Sequence, residues 1–273
     1  MNAAAKLALP EPVIEVEKLY AQYGDKPVLR DITLSIAVGE VMVIMGGSGS
    51  GKSTLLRHML GLEVPTSGRV QVLGVDIVKA PRRAMQEMRR KIGVAFQSGA
   101  LFSSMTIGEN IMLPLCEHAR LDIETMRIMM RLKLDFVDLA GAEDLMPAQL
   151  SGGMIKRAAV ARAIIMDPQL VFLDEPSAGL DPVVAAGVDE LILQLRAGGA
   201  SLVVVTHELE SAFRIADRIT VLDRGEILIS GSVDTVKASG NERVQALLTR
   251  KVEHARHTPE EFLRTLTGRL GSP

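Results

Sequence analysis

Val41-Met42-Val43-Ile44-Met45-Gly46-Gly47-Ser48-Gly49-Ser50-Gly51-Lys52-Ser53-Thr54-Leu55-Leu56 decides the fold of this chain. The unbroken apolar run Val41 to Met45 suits a parallel strand covered on both faces. Leu55-Leu56-Arg57-His58-Met59-Leu60 reads as the body of a helix. Between them stands the spacing G-x-x-x-x-G-K-[ST], a glycine-rich turn whose successive N–H groups line one concavity. The helix that follows aims its dipole and free N–H groups into the same concavity, which suits a phosphate. Gly46, Gly47, Ser48, Gly49, Ser50 and Gly51 form the predicted cradle, with Thr54 just behind it. Lys52 is placed for the outer phosphates and the Ser53 hydroxyl for Mg²⁺, so the loop implies a nucleoside triphosphate.

The rest of the composition narrows the class. With 273 residues the chain holds one or two domains and a real core. Its net charge of −2 supplies no bulk attraction to nucleic acid or to an anionic membrane. A single cysteine, Cys116, rules out an internal disulfide and fits a reducing compartment. No Cys/His cluster has metal-ligand spacing, and residues 1–12 lack the pattern of a signal peptide. No apolar run approaches the roughly 20 residues that span a bilayer. The chain is nevertheless 47% hydrophobic with a mean hydropathy of +0.22, which fits either a fully covered parallel sheet or an apolar partner surface.

Further runs extend the sheet. Val13 to Tyr20 and Ile32 to Ile36 alternate with partial period two and are expected as antiparallel strands with one wet face. Leu170 to Leu173 and Leu202 to Val205 are continuously apolar, like Met42 to Met45. Ile219 to Leu222 and Glu226 to Ser230 read as a strand pair around Asp223-Arg224-Gly225. From about Ser98 to Ile165 the pattern turns helical, and Ile128, Met129, Leu132, Phe136 and Leu139 are expected on one buried face. Arg82, Arg83, Arg89, Arg90 and Lys91 read as a solvated basic face. Thr258-Pro259-Glu260-Glu261 is a good helix start, with Phe262, Leu263, Leu266 and Leu270 as its apolar side.

Two clusters carry chemistry. Leu170 to Leu173 ends in Asp174-Glu175 at the carboxyl edge of the expected sheet, where ligands of α/β proteins bind. Asp174 is placed to hold Mg²⁺, and Glu175, one step further, to take a proton from water. Leu150-Ser151-Gly152-Gly153-Met154 opens a helix whose cap is Ser151 and whose first N–H groups face no side chain, a second place for a phosphate.

The order of these motifs resembles an ABC-type ATPase over roughly Ile14 to Ser239: phosphate loop, Leu-Ser-Gly-Gly, Asp174-Glu175, Ala178-Gly179-Leu180-Asp181, then Thr206-His207. That resemblance implies a P-loop α/β core with a mixed sheet, an antiparallel β subdomain and a helical subdomain at about 98–165. It implies a cassette over 13–240, with a flexible start at 1–12 and a helical extension at 241–273. It also assigns roles: Tyr23 stacking on adenine, Gln97 touching Mg²⁺ and the attacking water, and Ser151, Gly152 and Gly153 closing on the γ-phosphate of an opposite copy. Asp181 links the two sites, and His207 contacts the γ-phosphate. The implied cofactors are ATP and Mg²⁺, and the implied enzyme is an ATPase acting as a head-to-tail dimer.

The stretch from Phe96 to Leu115 is similar to the ATPases of Mla/Mce-type lipid transporters, as is Met154 after the signature. It joins a polar hinge, an apolar knob at Leu101-Phe102 and a helix carrying Ile107, Ile111 and Leu115, a pattern suited to docking a partner helix. The expectation is an ATPase at the cytoplasmic face of a bacterial inner membrane, with multi-pass permease subunits and an Mce-type subunit as partners and no nucleic acid. Another ABC transporter, a cell-division system or iron–sulfur cluster assembly are the alternatives. A long coiled coil or zinc insertion of the DNA-repair type is absent from the sequence, as is a second cassette.

Overall fold

The computed structural model describes residues 12–249. The chain enters as β1 (Ile14–Tyr23), β2 (Lys26–Ile36) and β3 (Val41–Gly46), followed by α1 (Lys52–Met59). Next come β4 (Ser67–Val72), β5 (Val75–Asp76), α2 (Arg82–Arg89) and β6 (Ile92–Ala95). Helices α3 (Ile107–His118), α4 (Ile123–Phe136) and α5 (Gly152–Ala163) then intervene before β7 (Leu170–Asp174). The chain closes with α6 (Pro182–Ala197), β8 (Ser201–Val205), α7 (Leu209–Ile215), β9 (Arg218–Asp223), β10 (Glu226–Gly231), α8 (Val233–Lys237) and α9 (Glu242–Leu248).

Two sheets result. An antiparallel sheet runs β2-β1-β4-β5, and a mixed sheet runs β10-β9-β3-β8-β7-β6 with only β10 antiparallel. The continuous apolar runs are parallel strands with both faces covered, because their alternate residues feed two different cores. Val41, Val43, Met45, Val171, Leu173, Leu202 and Val204 join the helices on one side. Met42, Ile44, Leu170, Phe172, Val203 and Val205 join α1 and the antiparallel sheet on the other. Burying each such side chain contributes about 1.5–3 kcal/mol, so polar substitution on either face is costly. The strand pair at Arg218–Gly231 closes through Arg224-Gly225, both at positive φ (49° and 82°), the turn that matches strand twist.

Two expectations need correction, and one strand lies where none is expected. The first pair of strands is longer than the alternation indicated, meeting at Tyr23 and Lys26. β6 escaped the sequence reading because it is short and carries Gly93, where a Cβ would lie 2.2 Å from the Ala163 carbonyl oxygen. On α4 the buried stripe is Met130 and Leu134, continuing to Val137 and Leu139. Ile128, Leu132 and Phe136 are exposed. That helix is apolar on most of its circumference, so two stripes fit the 3–4 spacing equally.

Ile107, Ile111 and Leu115 are core residues of α3; of the expected knob at Leu101-Phe102, Leu101 packs against the core and Phe102 is exposed, as is Phe96 nearby in sequence. Buried Asn110 shapes that knob: its amide donates to the carbonyls of Phe102, Met105 and Thr106 and accepts from Phe102 N. The basic cluster on and after α2 is solvent-exposed, as expected. In α9 Val244 is buried and Leu247 and Leu248 pack against the core. The expected helix beginning at Thr258, and residues 1–11 of the expected flexible start, lie outside the described residues.

Candidate functional site

Strand order places the site. The chain runs from β7 to β8 on one side of β3 and then crosses to β9 on its other side, so β3 stands at the topological switch point. Registers Ile44 to Val205, Asp174 to Val205 and Ala95 to Leu173 align the carboxyl ends of β3, β8, β7 and β6. Gly46, His207, Asp174, Glu175 and Gln97 therefore meet at one edge.

The cradle is built as the glycines require. A Cβ on Gly46 would lie 2.3 Å from the Leu222 carbonyl oxygen, and one on Gly51 (φ 106°) would lie 2.7 Å from Leu29 Cδ2. Gly47, Ser48, Gly49 and Ser53 are exposed, whereas Ser50 and Thr54 are buried. Helix α1 has Gly51 as its N-cap, with no side-chain cap bond and no acidic residue in its first turn, so its first N–H groups remain open. Lys52 Nζ donates to the Gly46 and Gly47 carbonyls at 2.8 and 3.0 Å. Burial pulls the Lys52 pKa down, and the charges of Glu175 and Asp174 oppose that. Buried Ser50 Oγ has no hydrogen-bond partner among the described residues. A dipole-bearing helix end, a lysine and an unpartnered hydroxyl fit a polyphosphate.

Opposite the cradle, Asp174 ends β7 and Glu175 takes the left-handed conformation at φ 50°. Burial pushes the Asp174 carboxyl up from its ordinary range, and Glu175 pushes it the same way against Lys52 and Arg57. The Glu175 side chain is held on both oxygens: Thr206 Oγ1 donates to Oε2 at 3.2 Å, and His207 Nδ1 lies 2.8 Å from Oε1. His207 thus pairs with the expected base, a contact between residues 32 apart in sequence that no motif spacing announces. Gln97 stands exposed beyond β6.

Tyr23 ends β1, half-exposed, with its hydroxyl donating to Glu63 Oε2 at 2.5 Å. Ser151 caps α5 by accepting from Met154 N, again with no acidic residue in the first turn. Ser151 and Gly152 are exposed, and buried Gly153 packs so closely that a Cβ would lie 2.7 Å from Val184 on α6. Asp181 caps α6 by accepting from Val183 N and Val184 N. No hydrogen bond among the described residues joins Ser151–Gly153 to Gly46–Thr54.

Two supports were missed from sequence. Gly225, at the β9–β10 turn, donates to the Ser50 carbonyl and buttresses the cradle. Lys156 Nζ donates to the carbonyls of Glu175 and Ala178.

A phosphate cradle at the switch point of a parallel sheet, faced by Asp174 and a held Glu175, defines a P-loop nucleoside triphosphatase. The sequence profile of the ABC transporter family matches residues 29–178, and the chain belongs to that family. It is an ATP-binding ATPase subunit of the ABC transporter type. The chain is 38% identical over 236 residues to the probable ribonucleotide transport ATP-binding protein Mkl of Mycobacterium leprae, covering 86% of this chain and 68% of that one. It is 37% identical over 237 residues to the intermembrane phospholipid transport system ATP-binding protein MlaF of Haemophilus influenzae, covering 86% of this chain and 90% of the relative. Among solved structures, the dimeric post-hydrolysis state of the ATP-binding cassette MJ0796 bound to ADP and Pi superposes with a TM-score of 0.75 at 30% identity, covering 81% of this chain and 98% of that one.

Proposed function

We propose that this chain powers phospholipid transport between the inner and outer membranes of a bacterium, by hydrolysing ATP in a head-to-tail dimer of itself. The observation that carries the ATPase reading is the shared sheet edge of Gly46–Thr54, Asp174, Glu175, His207 and Gln97. In the dimer each ATP lies between Gly46–Thr54 of one copy and Ser151–Gly153 of the other, with Tyr23 stacked on adenine. The dimeric cassette among the solved structures supports this arrangement. So do Asp181 at the exposed start of α6 and Val183 beside it, which is 81% exposed.

Ser53, Asp174 and Gln97 would hold Mg²⁺, which supplies charge neutralisation to the phosphates when bound. Glu175 takes the proton of the attacking water. Lys52 and His207 offset charge on the transferring phosphoryl group, and Ser151–Gly153 of the second copy complete its contacts. A lone chain then binds ATP but hydrolyses it slowly, because half the contacts to the transferring group are absent.

The transport reading rests on the MlaF relatives, matched over most of both chains. Phe96, the residue before Gln97, and Phe102, five residues after it, are exposed and offer a place for a permease helix. No helix among the described residues is long and apolar enough to cross a membrane, so attachment at the cytoplasmic face runs through multi-pass permease subunits, with an Mce-type subunit in the same assembly. Within the chain, residues 13–240 form the cassette, with about 98–165 as its helical subdomain and 241–273 as an extension. Mkl-type relatives carry a different cargo in their name and keep ribonucleotide transport as a second reading. Affinity capture from detergent-solubilised membranes tests the choice. Recovery of a multi-pass permease with bound phospholipid supports the proposal. Recovery of a permease binding ribonucleotide, or of soluble scaffold proteins alone, overturns it.

A further inference from the structure

Lys156 lies on α5, three residues beyond the glycines that open that helix, yet its contacts are with the catalytic turn of the same chain. Nζ donates to the Glu175 carbonyl at 2.7 Å and to the Ala178 carbonyl at 2.6 Å. Ala178 N in turn donates to the Glu175 carbonyl at 3.4 Å, so the ammonium joins both ends of one tight turn. Glu175 heads that turn at φ 50°, a conformation a glutamate holds only when its surroundings enforce it. On the side-chain side it is held by Thr206 and His207, and on the main-chain side by Val205 and Lys156. A charged donor to two carbonyls in a partly buried place is a strong and directional tie. The body of α5 is fixed as well: Gly153 abuts Val184, and Arg157 lies against Gly187, where a Cβ would meet its Nη2 at 2.7 Å.

We propose that Lys156 is a positioning residue for catalysis, holding the Glu175–Ala178 turn so that the Glu175 carboxylate faces the attacking water of its own chain's site. The inference rests on Glu175 being the base of ATP hydrolysis. It separates two jobs of one helix: the start of α5 serves the site on the opposite copy, while Lys156 serves the site on its own.

Two full-length copies joined by a flexible linker, so that they cannot exchange partners during turnover, test this. Glu175→Gln paired with wild type leaves one live site and sets the reference rate; undiminished hydrolysis in the Glu175→Gln homodimer would overturn the base assignment itself rather than the role of Lys156. Lys156→Met is then placed either on the Glu175→Gln chain or on the other chain. On the Glu175→Gln chain it touches only the turn of the dead site, and the reference rate is kept. On the other chain it loosens the live base, and kcat falls by about tenfold to hundredfold, with KM for ATP held within roughly twofold, because a base displaced by a fraction of an ångström loses rate rather than binding. Lys156→Arg, which keeps a charged donor, recovers most of that loss. Equal rates in the two arrangements, or a loss only when Lys156→Met shares a chain with Glu175→Gln, overturn the proposal, since the latter assigns Lys156 to the opposite site through α5. If Lys156→Met does not fold, Lys156→Gln carries the same comparison with the same two outcomes.

Discussion

Replacing Glu175 by Gln separates chemistry from folding, because the fold already holds this side chain on both oxygens. Oε1 faces His207 Nδ1 at 2.8 Å, Oε2 accepts from Thr206 Oγ1 at 3.2 Å, and the backbone N donates to Val205 O at 2.8 Å. The amide keeps one acceptor and all the main-chain bonds, so its cost to stability is at most one charged hydrogen bond, about 1.5–3 kcal/mol. The chemical loss is larger. Without a general base the barrier rises by about 3–5 kcal/mol, roughly 10²–10⁴ in rate. Nucleotide binding does not follow the rate down. Burial and then the Glu175 charge hold the Asp174 carboxyl above its ordinary range, and the amide removes the second of these. Steady-state phosphate release, equilibrium ATP binding and a thermal melt on one preparation read all three quantities. The expected result is turnover near background, ATP affinity equal to or tighter than wild type, and a cooperative melt. Turnover within about tenfold of wild type, in a chain that binds and melts normally, refutes the assignment.

Other outcomes follow from the same geometry. Asp174→Asn stabilises the folded chain at neutral pH: the native carboxyl is held above its ordinary 3.8, so its ionisation penalises folding above that value. Melts across pH should show the gain at neutral pH and its disappearance below 3.8, where the carboxyl is protonated in both states. Tyr23→Ala should weaken ATP binding by roughly tenfold through lost stacking, worth about 1–3 kcal/mol, while Tyr23→Phe keeps the ring and loses the hydroxyl's contacts with Glu63 and Arg57; nucleotide titration compares them. Asn110→Ala should cost about 1–3 kcal/mol in urea unfolding, because it leaves Phe102 N without its acceptor and takes the amide donor from the Met105 carbonyl, while the Phe102 and Thr106 carbonyls keep a backbone donor. Gly46→Ala should abolish ATP binding and lower Tm, since its Cβ would meet the Leu222 carbonyl, whereas Gly47→Ala enters open space and should fold normally.

Features written in consecutive residues were legible. The strand, cradle and helix at Val41–Met59 follow from one stretch, and so does the Asp174-Glu175 pair at the end of its apolar strand. The β9–β10 turn was legible as a turn, but its support of the Ser50 carbonyl was not, because Gly225 and Ser50 meet only in the folded sheet. The same holds for Thr206, His207 and Lys156 around Glu175, whose separations run from 19 to 32 residues. The buried face of α4 failed for another reason: with methionines and leucines on most sides, periodicity has two solutions, and packing against α3 and α5 selects the one through Met130 and Leu134. β6 is too short for its pattern to stand out, and its glycine is there for the approach of Ala163 rather than for a turn.

The central claim is that Gly46–Thr54 is half a site, completed by Ser151–Gly153 of a second copy. Sedimentation of the Glu175→Gln chain with and without MgATP tests it most directly. The account predicts the 29.4 kDa chain without nucleotide and twice that mass with MgATP. It also predicts that Ser151→Arg, which fills the exposed start of α5, returns the mass to a single chain while ATP binding by each chain persists. A Glu175→Gln chain that binds MgATP and stays at 29.4 kDa, or a Ser151→Arg variant that still doubles, would contradict it.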